Sequence, residues 1–198
     1  MLIVIIIDYI TIMSGLTGVN GPPTIEEVAV FASDNFSSLS LGWHFEVIAM
    51  ALLGAASLTL MTRESRIGWA LTAIGVVVVA PMYAIMIGGY GAVFAASEMD
   101  TNLYAAFRSV ATEVFYAGNL LLNAGLALAF ILEFYGSQRI MPAWFLVLAA
   151  LANAVVAIVF ALTHFGLLAD FRVAGPVIIV AFLLTAIFGG RLIMMRTS

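Results

Sequence analysis

The sequence predicts an all-α integral membrane protein. The expected fold is a bundle of six transmembrane helices with a short amphipathic helix in the first outer loop. Three observations carry this. Of 198 residues, 64% are hydrophobic and only 9% charged, with a mean hydropathy of +1.17, whereas a soluble domain carries about 25% charged residues. The apolar runs repeatedly reach the roughly 20 residues that a helix needs to cross a bilayer. They are also continuous rather than alternating, which excludes the strands of a membrane barrel.

The elements follow in order, as a single transmembrane domain over 1–198. Span one is expected over about 2–19. Its start, MLIVIIIDYITIMSG, lacks a basic leader and carries Asp8 inside the apolar run, so it reads as a retained span rather than a cleaved signal. Pro22 and Pro23 end it. In the loop that follows, Thr24 and Glu27 have capping-box spacing. Ile25, Val28, Ala29, Ala32 and Phe36 then recur at helical spacing, which predicts the amphipathic helix, as an interfacial element or lid or simply as packing over the loops. Spans two to six are expected over about 43–62, 67–90, 106–133, 142–164 and 173–195.

Arginines orient the bundle. Arg63, Arg66, Arg139, Arg191 and Arg196 fall on one side. Arg108 and Arg172 fall on the other, among acidic residues such as Glu26, Glu98 and Asp170. This predicts a multi-pass protein of the cell's inner (plasma) membrane with both termini cytoplasmic and an acidic outer face. Membrane lipids are the expected surroundings, and a small-molecule ligand, protein partners or a homo-oligomer are compatible with such a bundle.

Composition also excludes chemistry. With no cysteine, disulfides and thiolate sites are ruled out. With no lysine, a retinal Schiff base, pyridoxal phosphate and a phosphate-loop lysine are ruled out. A net charge of −4 without a basic patch argues against nucleic acid.

Gly89-Tyr90-Gly91 reproduces the centre of a potassium-channel filter. A filter needs a T-V-G-Y-G loop after a pore helix. Here Ile87-Gly88 precede the glycine, and the apolar run from Ile67 is long enough to cross alone. The segment therefore reads as a span end, with Gly88, Gly89 and Gly91 allowing close backbone approach and Tyr90 in an interfacial aromatic belt. Pro81 is an expected kink.

Ionisable and polar residues within spans are functional candidates, because each is costly in lipid. His44, Tyr83, Glu113 and His164 are expected at one level in the outer half. At 100° per residue, Glu113, Tyr116 and Asn123 share an arc of about 80°, extended by Asn119. Asn153 and His164 share a face of span five. The expected site is a polar pocket near the outer face, lined by His44, Tyr83, Glu113, Tyr116, Asn119, Asn123 and His164. His44 and Glu46 point about 200° apart, so they do not form a pair.

Three functional readings remain open. One is a pocket that binds or transports a small molecule or ion, for which a protonatable Glu113 suits proton coupling. Another is a non-catalytic accessory or scaffold subunit of a membrane complex, with asparagines as interhelical glue. In the third, haem or a transition metal is bound by His44 and His164 with Glu113, giving a redox or hydrolytic protein. No catalytic residue is assigned, because no serine-nucleophile elbow occurs.

Overall fold

A computed structural model describes residues 24–137, 139–169 and 171–196. Among these the chain is helical, without strands. Five helices are long and apolar enough to cross a membrane. The chain thus reads as an all-helical, multi-pass membrane protein. The expected first span and Asp8 lie outside the described residues.

Helix α1 (Ile25–Asp34) begins as its sequence dictates. The Thr24 hydroxyl accepts from the Glu27 amide at 3.3 Å, and the Glu27 carboxylate accepts from the Thr24 amide at 2.8 Å. Val28, Ala29 and Ala32 are buried. The chain turns at Asn35 and enters α2 (Phe36–Leu60). This start is seven residues earlier than expected, because Ser37, Ser38 and Ser40 lower the hydropathy without breaking the helix.

Helix α3 (Arg66–Ala84) runs through Pro81 without ending. A π-turn over Ile85–Gly89 follows, and α4 (Tyr90–Phe94) continues the same span. The irregularity therefore sits one turn beyond the proline. Gly89 and Tyr90 have ordinary helical dihedrals, so their carbonyls serve the helix and do not line a filter. Helix α5 (Thr101–Tyr135), α6 (Ala143–His164) and α7 (Gly175–Arg196) complete the order, with a 3-10 turn at Phe171–Ala174 before α7.

Two compact units divide the chain. The first comprises Met1–Ala51 and Ala80–Val114. Its described part is organised by aromatic side chains. Trp43, Tyr90, Phe94, Phe36 and Tyr104 meet with ring centroids 5.0–6.2 Å apart. Tyr90 is therefore buried among rings. A β-carbon on Gly89 would meet the Phe107 ring, and one on Gly91 the Phe36 ring, while Gly88 has nothing within 4 Å. Gly89 and Gly91 seat aromatic rings and Gly88 faces open space, which corrects the expectation that the three bring backbones together.

The second unit comprises Leu52–Val79 and Phe115–Ser198. Here backbones do touch. A β-carbon on Gly68 would stand 2.3 Å from the Ala129 amide nitrogen, and one on Gly75 would stand 2.4 Å from that of Leu122. In return, one on Gly125 would meet the Thr72 nitrogen at 2.4 Å, and one on Gly118 the Val79 nitrogen at 2.9 Å. The contacts step four, three and four residues along α3 and α5 in opposite directions. That is the heptad spacing of an antiparallel pair, with glycine as the small partner on each side. Trp69, Phe130 and Phe188 close the pair against α7, with centroids 5.2–6.3 Å apart.

Candidate functional site

The residues expected to form the outer pocket have different surroundings. His44 is exposed, and its Nδ1 stands 2.6 Å from the Ser40 carbonyl of its own helix, so the ring donates there. Glu113 is also exposed. Asn119 and Asn123 are buried, and Tyr116 is half-buried against Phe160. Helical geometry explains the split. Glu113 lies about 80° from Asn123 and about 120° from Asn119. It marks the exposed edge of the stripe, and Asn119 marks the opposite, buried edge.

Each buried asparagine turns back on its own helix. Asn119 donates to the Phe115 carbonyl at 2.9 Å, Asn123 to that of Asn119 at 2.8 Å, and Asn153 to that of Ala149 at 2.8 Å. Thr72, Thr163 and Thr185 do the same one turn back. This satisfies each hydroxyl and one donor of each amide without a second helix. His164, half-buried at the end of α6, packs its ring edge-on against Phe165. His44 and Glu113 belong to the first unit, and Tyr116, Asn119, Asn123 and His164 to the second. Among the described residues, no group of three or more His, Asp or Glu side chains is placed to hold a metal ion.

In the first unit, Tyr83 is buried and its hydroxyl lies near the Glu46 carboxylate of α2. Of the opposed pair His44 and Glu46, the glutamate faces inward. Glu46 is ten residues into α2, and Tyr83 is eleven residues before the end of α4. At 1.5 Å per residue both lie about 15 Å from those helix ends. The early start of α2 thus puts Glu46 about three turns inside the helix rather than at its boundary. The π-turn begins two residues after Tyr83. Such turns recur at functional positions because they free backbone groups from the regular ladder.

The second unit holds a polar network at the turn between α2 and α3. Glu133 of α5 is only 3% exposed. Arg63 grips it as a fork, Nε to Oε1 at 2.6 Å and Nη2 to Oε2 at 2.8 Å. The Ser65 hydroxyl donates to Oε1 at 2.6 Å, and the Trp69 indole donates to that hydroxyl at 2.9 Å. Next to it, Glu64 accepts the Ser137 amide and hydroxyl, each at 2.8 Å. These bonds hold the Glu64 carboxyl below its usual range, since hydrogen bonds to the charged form favour it. The bond to Glu133 raises the Arg63 guanidinium further above its ordinary value. A cleft of about 170 Å³ opens here, lined by Thr62, Arg63, Glu64, Glu133 and Gly136.

None of those five residues was singled out from sequence as a site. A usable signal existed. Glu133 closes the fourth apolar run on the side to which the arginine count assigns Arg63. A carboxylate and a guanidinium at one level on adjacent antiparallel spans are natural partners.

The chain matches no known family model, no curated protein and no solved structure.

Proposed function

We propose that the protein binds a small cation, protons included, within the membrane and mediates its passage, with Glu46 and Tyr83 at the binding position. The arginine-based orientation places this position in the outer half of an inner-membrane protein with cytoplasmic termini. One observation carries the reading: a carboxylate and a buried phenol from two different helices lie near each other, about 15 Å along from the helix ends. A carboxylate at such depth is expensive unless it is used. It supplies the negative charge for a cation, and the phenol supplies an oxygen ligand and a proton donor. A π-turn begins two residues beyond Tyr83, and such turns recur at functional positions.

Reconstituted vesicles test this. Under imposed gradients of H⁺, Na⁺ or K⁺, the wild type should carry at least one of these ions. Glu46→Gln should abolish that flux, and Tyr83→Phe should reduce it. Equal fluxes for wild type and Glu46→Gln under all three gradients would sink the reading.

A second reading is that of a non-catalytic assembly subunit, favoured by a separate observation. The buried asparagines bond within their own helices, and α3 and α5 are in backbone contact over three turns. That leaves no passage between these two segments. Recovery of a stoichiometric membrane partner on native gels, unaffected by Glu46→Gln and unaccompanied by ion flux, would favour it.

A further inference from the structure

We infer that the cleft beside Glu64 is a binding site for a phospholipid headgroup that joins a primary ammonium to a phosphodiester. The site is distinct from Glu46 and Tyr83, and the inference does not depend on the reading given for them.

Position is the first argument. The cleft lies where α2 has ended, α3 begins and α5 ends. The ends of membrane-crossing helices stand at the level of lipid headgroups. Its chemistry departs sharply from the apolar helices that surround it. Thr62 and three charged groups line it, and one of these, Glu133, is buried.

Sign is the second argument. Arg63 and Glu133 neutralise each other through their fork. Glu64 is left to set the charge of the cleft, and it is exposed. Each of its oxygens accepts one bond from Ser137. A carboxylate oxygen has two acceptor positions, so each can take another donor. A primary ammonium offers three donors and a full positive charge, whereas a trimethylated amine offers none.

Flanking charge is the third. Arg66 follows Glu64 by two residues and Arg139 follows Ser137 by two, and both are exposed. Exposed arginines two residues from Glu64 and from Ser137 in the chain suit a phosphate joined to the amine. The volume is compatible, since a cavity of about 150 Å³ admits a benzene-sized guest and an aminoethyl group is smaller.

The test uses the full chain, purified and stripped of lipid in mild detergent. Native mass spectrometry compares retention of phosphatidylethanolamine, phosphatidylcholine and phosphatidylglycerol with matched acyl chains. The ethanolamine lipid should be retained about tenfold over the choline lipid, the scale of one charge-assisted hydrogen bond. Glu64→Gln should remove this preference. Ser137→Ala removes the hydroxyl bond to Glu64 but keeps the amide bond and the carboxylate, so it should preserve the preference. Equal retention of the three lipids would overturn the inference, as would a preference that survives Glu64→Gln or is lost in Ser137→Ala. Soluble glycerophosphoethanolamine should not displace the lipid at equal concentration. If it does, the occupant is a soluble aminoethyl phosphodiester and the lipid assignment fails.

Discussion

Replacing Gly75 with alanine tests the central packing device of the second unit. The new β-carbon would stand 2.6 Å from the Leu122 Cα and 2.4 Å from its amide nitrogen. Carbon atoms in contact prefer about 3.5–4.0 Å, so α3 and α5 must separate by about 1 Å. Neither obstacle is the movable end of a side chain. Separation would also loosen the contacts of Gly68 with Ala129 and of Gly125 with Thr72, because they share the helix pair. A radial gap of 0.5–1 Å forfeits about a quarter to a half of each dispersion contact. Overpacking of this kind costs about 1–3 kcal/mol. Alanine's better helix propensity returns up to about 1 kcal/mol. The net expectation is a loss of about 1–2 kcal/mol. Gly42 supplies the control, being helical with nothing within 4 Å of its β-position. Gly42→Ala should be neutral or stabilise by up to about 1 kcal/mol. Unfolding of both variants in mixed micelles, followed by circular dichroism, measures the difference. If the two variants match within about 0.5 kcal/mol, the backbone contact has been misjudged.

Two other outcomes follow from the Arg63 network. Arg63→Ala leaves the buried Glu133 carboxylate without its fork and should destabilise the protein by about 3 kcal/mol, whereas Arg63→Met with Glu133→Leu should recover most of that loss; thermal stability of the three proteins decides. For Glu64, the folded carboxyl lies below its ordinary value of 4.5 because Ser137 bonds its charged form. That contribution is present above the unfolded value and is lost as pH falls through the lowered folded value. Stability should therefore drop on acidification below about pH 4.5, and Ser137→Ala should flatten this part of the profile.

Several features were legible in the sequence because they are local. The α1 capping box needs only Thr24 and Glu27 three residues apart, and both bonds are present. The opposition of His44 and Glu46 follows from 100° per residue. Which of the two faces inward does not, since that depends on where Tyr83 stands. The glycines near Tyr90 looked like points of backbone contact, yet they seat Phe36 and Phe107. Gly68, Gly75, Gly118 and Gly125, spaced seven apart in two separate runs, attracted no notice. Their spacing acquires meaning only once two helices are set antiparallel in one register.

By itself the sequence determined the apolar character, the helical class and the approximate extent of the five described helices long enough to cross a membrane. Apolar content and run length are properties of the chain before it folds, and lipid demands that backbone polar groups be satisfied within each segment. The tertiary structure alone decided the pairings: Arg63 with Glu133 across 70 residues, Glu64 with Ser137 across 73, and Tyr83 with Glu46 between helices. Hydropathy carries no register. A side chain's partner is set by the rotation and offset of whole helices, and in the second unit those are set by four glycines short enough to let backbones meet.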